Sequence, residues 1–142
     1  MGDRANVVIR DDWPADLNQR EAVFLYTHWG GSELPEQLRD ALIHGRGRWG
    51  DPSYLARIVL DRMTRDDADD ITGYGISTRL GDNEYPLLVL HVGRVYAMNE
   101  QRYHDRGFDA LDEVASIGFD EYIAIPRTWD NLMAAEKPLR AV

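Results

Sequence analysis

Cysteine is absent from the 142 residues. That excludes disulfides, thiolate nucleophiles and cysteine-ligated zinc together, and it suits a reducing compartment. No apolar run approaches the roughly 20 residues a helix needs to cross a bilayer. The opening Met1-Gly2-Asp3-Arg4-Ala5-Asn6 lacks the apolar stretch of a signal peptide, and Asn6 stands where a myristoylation site carries Ser or Thr. The expectation is a soluble, cytoplasmic protein with no membrane partner. Positive charge is scarce too: the formal net charge is −9 and the pI about 4.8. Such a field opposes phosphate backbones, because counterion release needs a cationic footprint, so nucleic acid is a disfavoured partner.

What is present is an ordinary globular composition, 44% apolar and 29% charged, which argues against global disorder. A chain of this length fits one domain, 1–142, and can bury roughly 68% of the surface its unfolded form exposes. No internal repeat, low-complexity tract or interdomain linker interrupts it.

Asn6-Val7-Val8-Ile9-Arg10 reads as a first strand, followed by a turn-rich loop over Asp11 to Asp16. Val23 to Thr27 is a second, continuously apolar strand of the kind covered on both faces, and the two are expected to pair as a hairpin. A helix from about Glu33 to Ile43 follows, with Ser32 as N-cap, Pro35 in the first turn and Leu34, Leu38, Ala41 and Leu42 on one face. Asp51-Pro52 opens a second helix whose buried stripe is Leu55, Ile58, Val59 and Met63. Residues 71–78 and 85–92 read as the next strand pair, turned at Gly81-Asp82-Asn83-Glu84. Arg94 to Met98 adds a strand after a tight turn at Gly93. Phe108 to Ile117 is ambiguous between helix and strand, and Phe119, Tyr122 and Ile123 suggest a short helix before Pro126. The tail after about residue 130 is expected to fray. The fold class is α+β: an antiparallel sheet of about five strands with two principal helices packed on it.

The densest chemistry lies at Tyr26-Thr27-His28-Trp29-Gly30-Gly31-Ser32, where a strand ends and a helix begins. Glycines let a backbone approach a ligand closely, and a helix start offers unpaired N–H groups and a positive dipole end. Gly30, Gly31 and Ser32 would donate to an anion, Trp29 would stack on a flat group, and His28 would hydrogen-bond or act as acid–base. A tight turn with a core tryptophan accounts for the same residues, and Gly-Gly-Ser lacks the spacing of the glycine-rich nucleotide fingerprints. The loop His44 to Asp51 is the one locally basic place: Arg46 and Arg48 could fork onto phosphate or carboxylate, with Trp49 as a stacking plane. Its place beyond the first helix sets it about 15 Å from the strand end at 1.5 Å per residue. Tyr74 between Gly73 and Gly75 is a third candidate, where a strand glycine marks a bulge or a close ligand. The four histidines form no zinc-binding pattern, so neither a metal nor a cofactor is expected.

With Tyr26 to Gly31, Trp49-Gly50-Asp51-Pro52-Ser53-Tyr54-Leu55 and Gly73-Tyr74-Gly75 in view, residues 6–92 resemble a loose group of small bacterial and phage proteins. These share a Tyr-x-His-Trp-Gly-Gly strand end and have no known activity. The resemblance implies no activity, cofactor or substrate; it raises the weight of the first junction.

Three functions follow. The leading one is a binding protein for a small anionic, nucleotide-like ligand. The second is an acidic interaction or inhibitor protein that imitates nucleic acid and seats in a basic protein partner. It requires Asp61, Asp66, Asp67, Asp69 and Asp70 to share one face with few intervening arginines. The third is a phosphoester hydrolase using His28 with Asp51 or Asp82. A homo-oligomer is compatible with each.

Overall fold

The computed structural model describes residues 2–10 and 22–140, with side chains through residue 134. The expected loop at Asp11 to Asp16 lies outside the described residues. Six strands form one sheet: β1 (Ala5–Arg10), β2 (Ala22–Thr27), β3 (Tyr74–Ser77), β4 (Leu87–His91), β5 (Arg94–Met98) and β6 (Ser116–Gly118). Their spatial order is β3-β2-β1-β4-β5-β6. The helices are α1 (Leu34–His44), α2 (Pro52–Met63), α3 (Glu100–Arg106), α4 (Phe119–Ile123) and α5 (Trp129–Arg140). The α+β class stands, with six strands in place of about five.

β1 and β2 pair antiparallel as the apolar run suggests, with Val7 opposite Leu25. The expected pairing of 71–78 with 85–92 is corrected. β3 pairs antiparallel with β2, whereas β4 pairs parallel with β1, Val8 opposite Val89. Gly81 to Glu84 therefore makes no hairpin. This loop is held to β1 by Asn6, whose Nδ2 donates to the Asp82 carbonyl at 3.1 Å and whose Oδ1 accepts from the Gly81 amide at 3.2 Å. The tight turn at Gly93 is present. Val92 and Gly93 both have positive φ, 46° and 74°, which matches the right-handed twist of the β4–β5 hairpin.

Both faces of the sheet are covered, which explains why β1 is buried at all six positions. On one face Val7, Ile9, Leu25, Leu88 and Leu90 lie under Leu34, Leu38 and Leu42 of α1, Leu55, Val59 and Met63 of α2, and Tyr122 of α4. On the other, Val8, Phe24, Val89 and Met98 meet Tyr103 of α3 and Phe108 and Leu111 of a 3-10 segment spanning Gly107–Glu113. Ile58, expected in the α2 stripe, is only half-buried.

Asp51 caps α2 as expected. Ser32 does not cap α1. It sits inside a 3-10 turn, Gly31–Glu33, that precedes the helix, and Glu33 occupies the cap position without a side-chain bond. Of the ambiguous stretch, 107–113 is 3-10 and 116–118 is strand, and the short helix before Pro126 is α4. Trp129–Arg140 forms α5, with Asn131 and Thr128 exchanging bonds between side chain and main chain across its start. No helix among the described residues is long and apolar enough to cross a membrane.

Candidate functional site

The strand end is a closed latch. The amide of Gly30 donates to Thr27 Oγ1 at 3.0 Å, and that of Gly31 to the Asp3 carbonyl at 2.8 Å. The Ser32 amide reaches Asp3 Oδ2 at 2.9 Å, and Glu33 donates to the Gly30 carbonyl at 3.1 Å. The expected open anion cradle at Gly30, Gly31 and Ser32 is therefore corrected: Asp3 of this chain already supplies the negative charge. The other oxygen of Asp3 accepts from the Tyr85 hydroxyl. That bond holds the Asp3 carboxyl below its usual range and, with burial, pushes the Tyr85 phenol up to about 12.

Gly31 is buried because nothing larger fits. A Cβ there would stand 2.6 Å from the Asp3 carbonyl oxygen and 2.7 Å from Tyr85 Cε2. The Gly31 carbonyl accepts from Trp129 Nε1 at 2.8 Å, and the Trp129 ring stacks on Tyr85 with centroids 4.8 Å apart. Asp3, Tyr85 and Trp129 escape a reading of the sequence because each joins the junction from far along the chain.

His28 is fixed at its main chain, its amide donating to the Gly73 carbonyl and its carbonyl accepting from the Asp3 amide. Its Nδ1 lies 2.8 Å from the Tyr26 hydroxyl. Neither carboxylate named for the hydrolase reading is its partner. Asp51 accepts from Ser53 Oγ and the Tyr54 amide, and Asp82 pairs with Arg4 at 3.3 Å. Trp29 is not a core residue, being 60% exposed. Its ring meets His28 edge-on at 4.7 Å and lies over Gly73, whose φ of +96° and missing side chain leave it room. The Tyr74 hydroxyl donates to Asp67 at 3.2 Å, and burial raises its pKa.

The basic loop stands at the far end of α1, and the eleven residues of that helix separate it from the strand end by about 16 Å. The two do not form one site. Trp49 is no free stacking plane: it packs edge-on against Phe119 at 5.3 Å and donates from Nε1 to the Leu42 carbonyl at 2.8 Å. Arg46 lies over its ring and pairs with Asp120 at 3.2 Å. Arg48 turns the other way, over Tyr54 at 4.6 Å, and lines a cleft of about 550 Å³ between α1 and α2.

That cleft gathers cations from α2 and from the loop that follows α1. Arg57, Arg62 and Arg65 of α2 and its C-terminal extension join His44 and Arg48, with Asp61 the one carboxylate in the lining and Ala41 and Ile58 supplying apolar surface. Asp61 is already paired with Arg57 at 2.5 Å. Arg62 pairs through Nη2 with Asp40 at 2.8 Å, but its Nε is enclosed without an acceptor. Near the two helix ends the Ala41 carbonyl accepts from the Gly45 amide, that of Leu42 from Trp49, and that of Leu60 from the amide and hydroxyl of Thr64. A reading by helical period places Arg57 and Arg62 on a solvated face, so these arginines pass unnoticed in the sequence.

The same arginines bear on the mimic reading. Arg57, Arg62 and Arg65 interleave with Asp61 and the exposed Asp66, Asp67, Asp69 and Asp70, so that surface is not of one sign. Two further clefts, of about 620 and 520 Å³, hold fewer cations: Arg102 with Glu84 and Glu100 in one, and Asp51 with Ile9, Val23 and Ala56 in the other. None of the three clefts is lined by residues 28–32. Among the described residues no three His, Asp or Glu side chains converge to hold a metal ion. No protein-family model matches the chain, and neither a curated protein nor a solved structure does.

Proposed function

We propose that the protein binds a small anionic ligand, nucleotide-like in carrying phosphate on a partly apolar body, in the cleft between α1 and α2. The carrying observation is the convergence of Arg48, Arg57, Arg62 and Arg65 on one cleft of a chain whose net charge is −9. Guanidinium groups fork onto phosphate or carboxylate in a way an ammonium does not. A cationic recess within an acidic surface also concentrates the field, drawing anions to one place and repelling them elsewhere. Ile58 and Ala41 offer contact for the apolar part of a ligand. Arg46, Trp49 and the Gly30 to Ser32 amides take no part in this reading.

Titration calorimetry with pyrophosphate and a panel of nucleoside mono- and diphosphates tests it. Heat at low ionic strength that weakens with added salt is the expected result. Arg62→Gln with Arg65→Gln should lower affinity about tenfold or more, as expected for lost charge-assisted bonds. Trp29→Ala should leave binding unchanged. Absence of heat across the panel with the natural chain refutes the proposal.

A further inference from the structure

Among the described residues β3 forms one edge of the sheet, with β2 on its only paired side. Across the β2–β3 register the His28 amide donates to the Gly73 carbonyl, so Gly73, Gly75 and Ser77 turn their main-chain groups toward β2. By alternation Tyr74, Ile76 and Thr78 turn theirs outward along the open edge. The edge is protected only by its four-residue length: Tyr74-Gly75-Ile76-Ser77 contains no proline and no charge. Instead the edge carries bare apolar groups, Ile76 at 60% and Ile71 at 99% exposure.

The charges flanking this edge are sorted by sign. Asp69 and Asp70 precede it and Arg79 follows it, all exposed. In a parallel pairing of two copies, acid would face acid and arginine would face arginine. An antiparallel pairing about a two-fold axis at Gly75 sets Tyr74 opposite the second copy's Ile76 and brings each Arg79 toward the acidic end, Asp69 and Asp70, of the other copy. We infer that β3 is the contact strand of a homodimer, in which two copies join their sheets antiparallel at this edge. The axis falls on a residue without a side chain, where close approach costs nothing. Two aromatic–β-branched cross-strand pairs and about four main-chain hydrogen bonds form, with the Arg79 of each copy drawn toward the acidic Asp69–Asp70 end of the other.

Sedimentation equilibrium of the full chain decides the matter. The expected species has about twice the 16.3 kDa of one chain. Ile76→Lys should return the protein to one copy while its circular dichroism stays as before, since that side chain is exposed. Arg79→Asp should weaken association about tenfold, and adding Asp70→Arg should restore it. A chain that stays at 16.3 kDa up to millimolar concentration overturns the inference. So does an unchanged dissociation constant in either single variant, or a failure of the charge exchange to restore pairing.

Discussion

Replacing Gly31 with alanine separates two roles for the junction. If the glycine let a ligand approach, Gly31→Ala would impair binding and leave the fold as stable as before. The structure requires the reverse. The new methyl group would stand 2.6 Å from the Asp3 carbonyl oxygen and 2.7 Å from a Tyr85 ring carbon, well inside contact distance. The Asp3 carbonyl is main chain and Tyr85 is stacked on Trp129, so neither yields without disturbing the latch. Overpacking of this kind costs about 1–3 kcal/mol. Displacing Asp3 also loosens its bonds to the Ser32 amide and the Tyr85 hydroxyl, at about 1 kcal/mol together because both groups can turn to water. A total of about 2–4 kcal/mol, set against an unfolding entropy near 0.3 kcal/mol per kelvin for 142 residues, lowers the melting temperature by roughly 7–13 °C. Calorimetric melts measure it, with Gly50→Ala as the control because a Cβ there meets nothing within 4 Å. A Gly31→Ala protein melting within about 2 °C of the natural chain, outside the range that such overpacking implies, refutes the reasoning.

Three more predictions test the same physics elsewhere. The Asp3 carboxyl is depressed below its ordinary 3.8, so its contribution is present above that pH and is lost as pH falls through the folded value. The Tyr85 phenol is raised, so its contribution is whole below pH 10 and is lost as pH climbs toward about 12; urea melts of Asp3→Ala should show both dependences flattened. Arg127, buried, donates from Nε to the Tyr122 carbonyl and from Nη2 to the Glu121 carbonyl, both at 2.7 Å. An ammonium lacks the planar fork that places two separate nitrogens on these carbonyls, so Arg127→Lys should shift the urea midpoint by the equivalent of about 1.5–3 kcal/mol. Trp49→Phe keeps a ring against Phe119 but loses the bond to the Leu42 carbonyl; it should cost about 1–2 kcal/mol and leave pyrophosphate affinity unaltered.

Local chemistry was legible along the chain. Asp51-Pro52 announces α2, the spacing of Leu34, Leu38 and Leu42 sets the inner face of α1, and Gly93 marks the β4–β5 turn. The β1–β2 and β4–β5 pairings were legible, but the place of Tyr74 to Ser77 was not, because alternation tells which face a residue takes and not which strand lies beside it. Tyr74 to Ser77 and Leu87 to His91 are neighbours in sequence with a turn-like stretch between them, yet β2 and β1 separate them in the sheet. The junction was misread for a related reason. Glycine and serine at a helix start suggest unpaired donors, and nothing local discloses that Asp3 arrives from twenty-nine positions away to fill them. The cationic cleft is a product of α1 packing on α2: the loop supplies Arg48, but Arg57, Arg62 and Arg65 join it only through that contact.

The parallel pairing of β1 with β4 has a bearing on how the chain is made. During synthesis β1 and β2 can close as a hairpin early, leaving the second side of β1 bare until Leu88, eighty-one positions after its partner Val7, has left the ribosome. So late a closure raises the contact order and slows folding, and meanwhile an apolar strand edge is open to strangers. Chaperone dependence of the nascent protein should therefore fall sharply once β4 is available, and a fragment ending before it should aggregate.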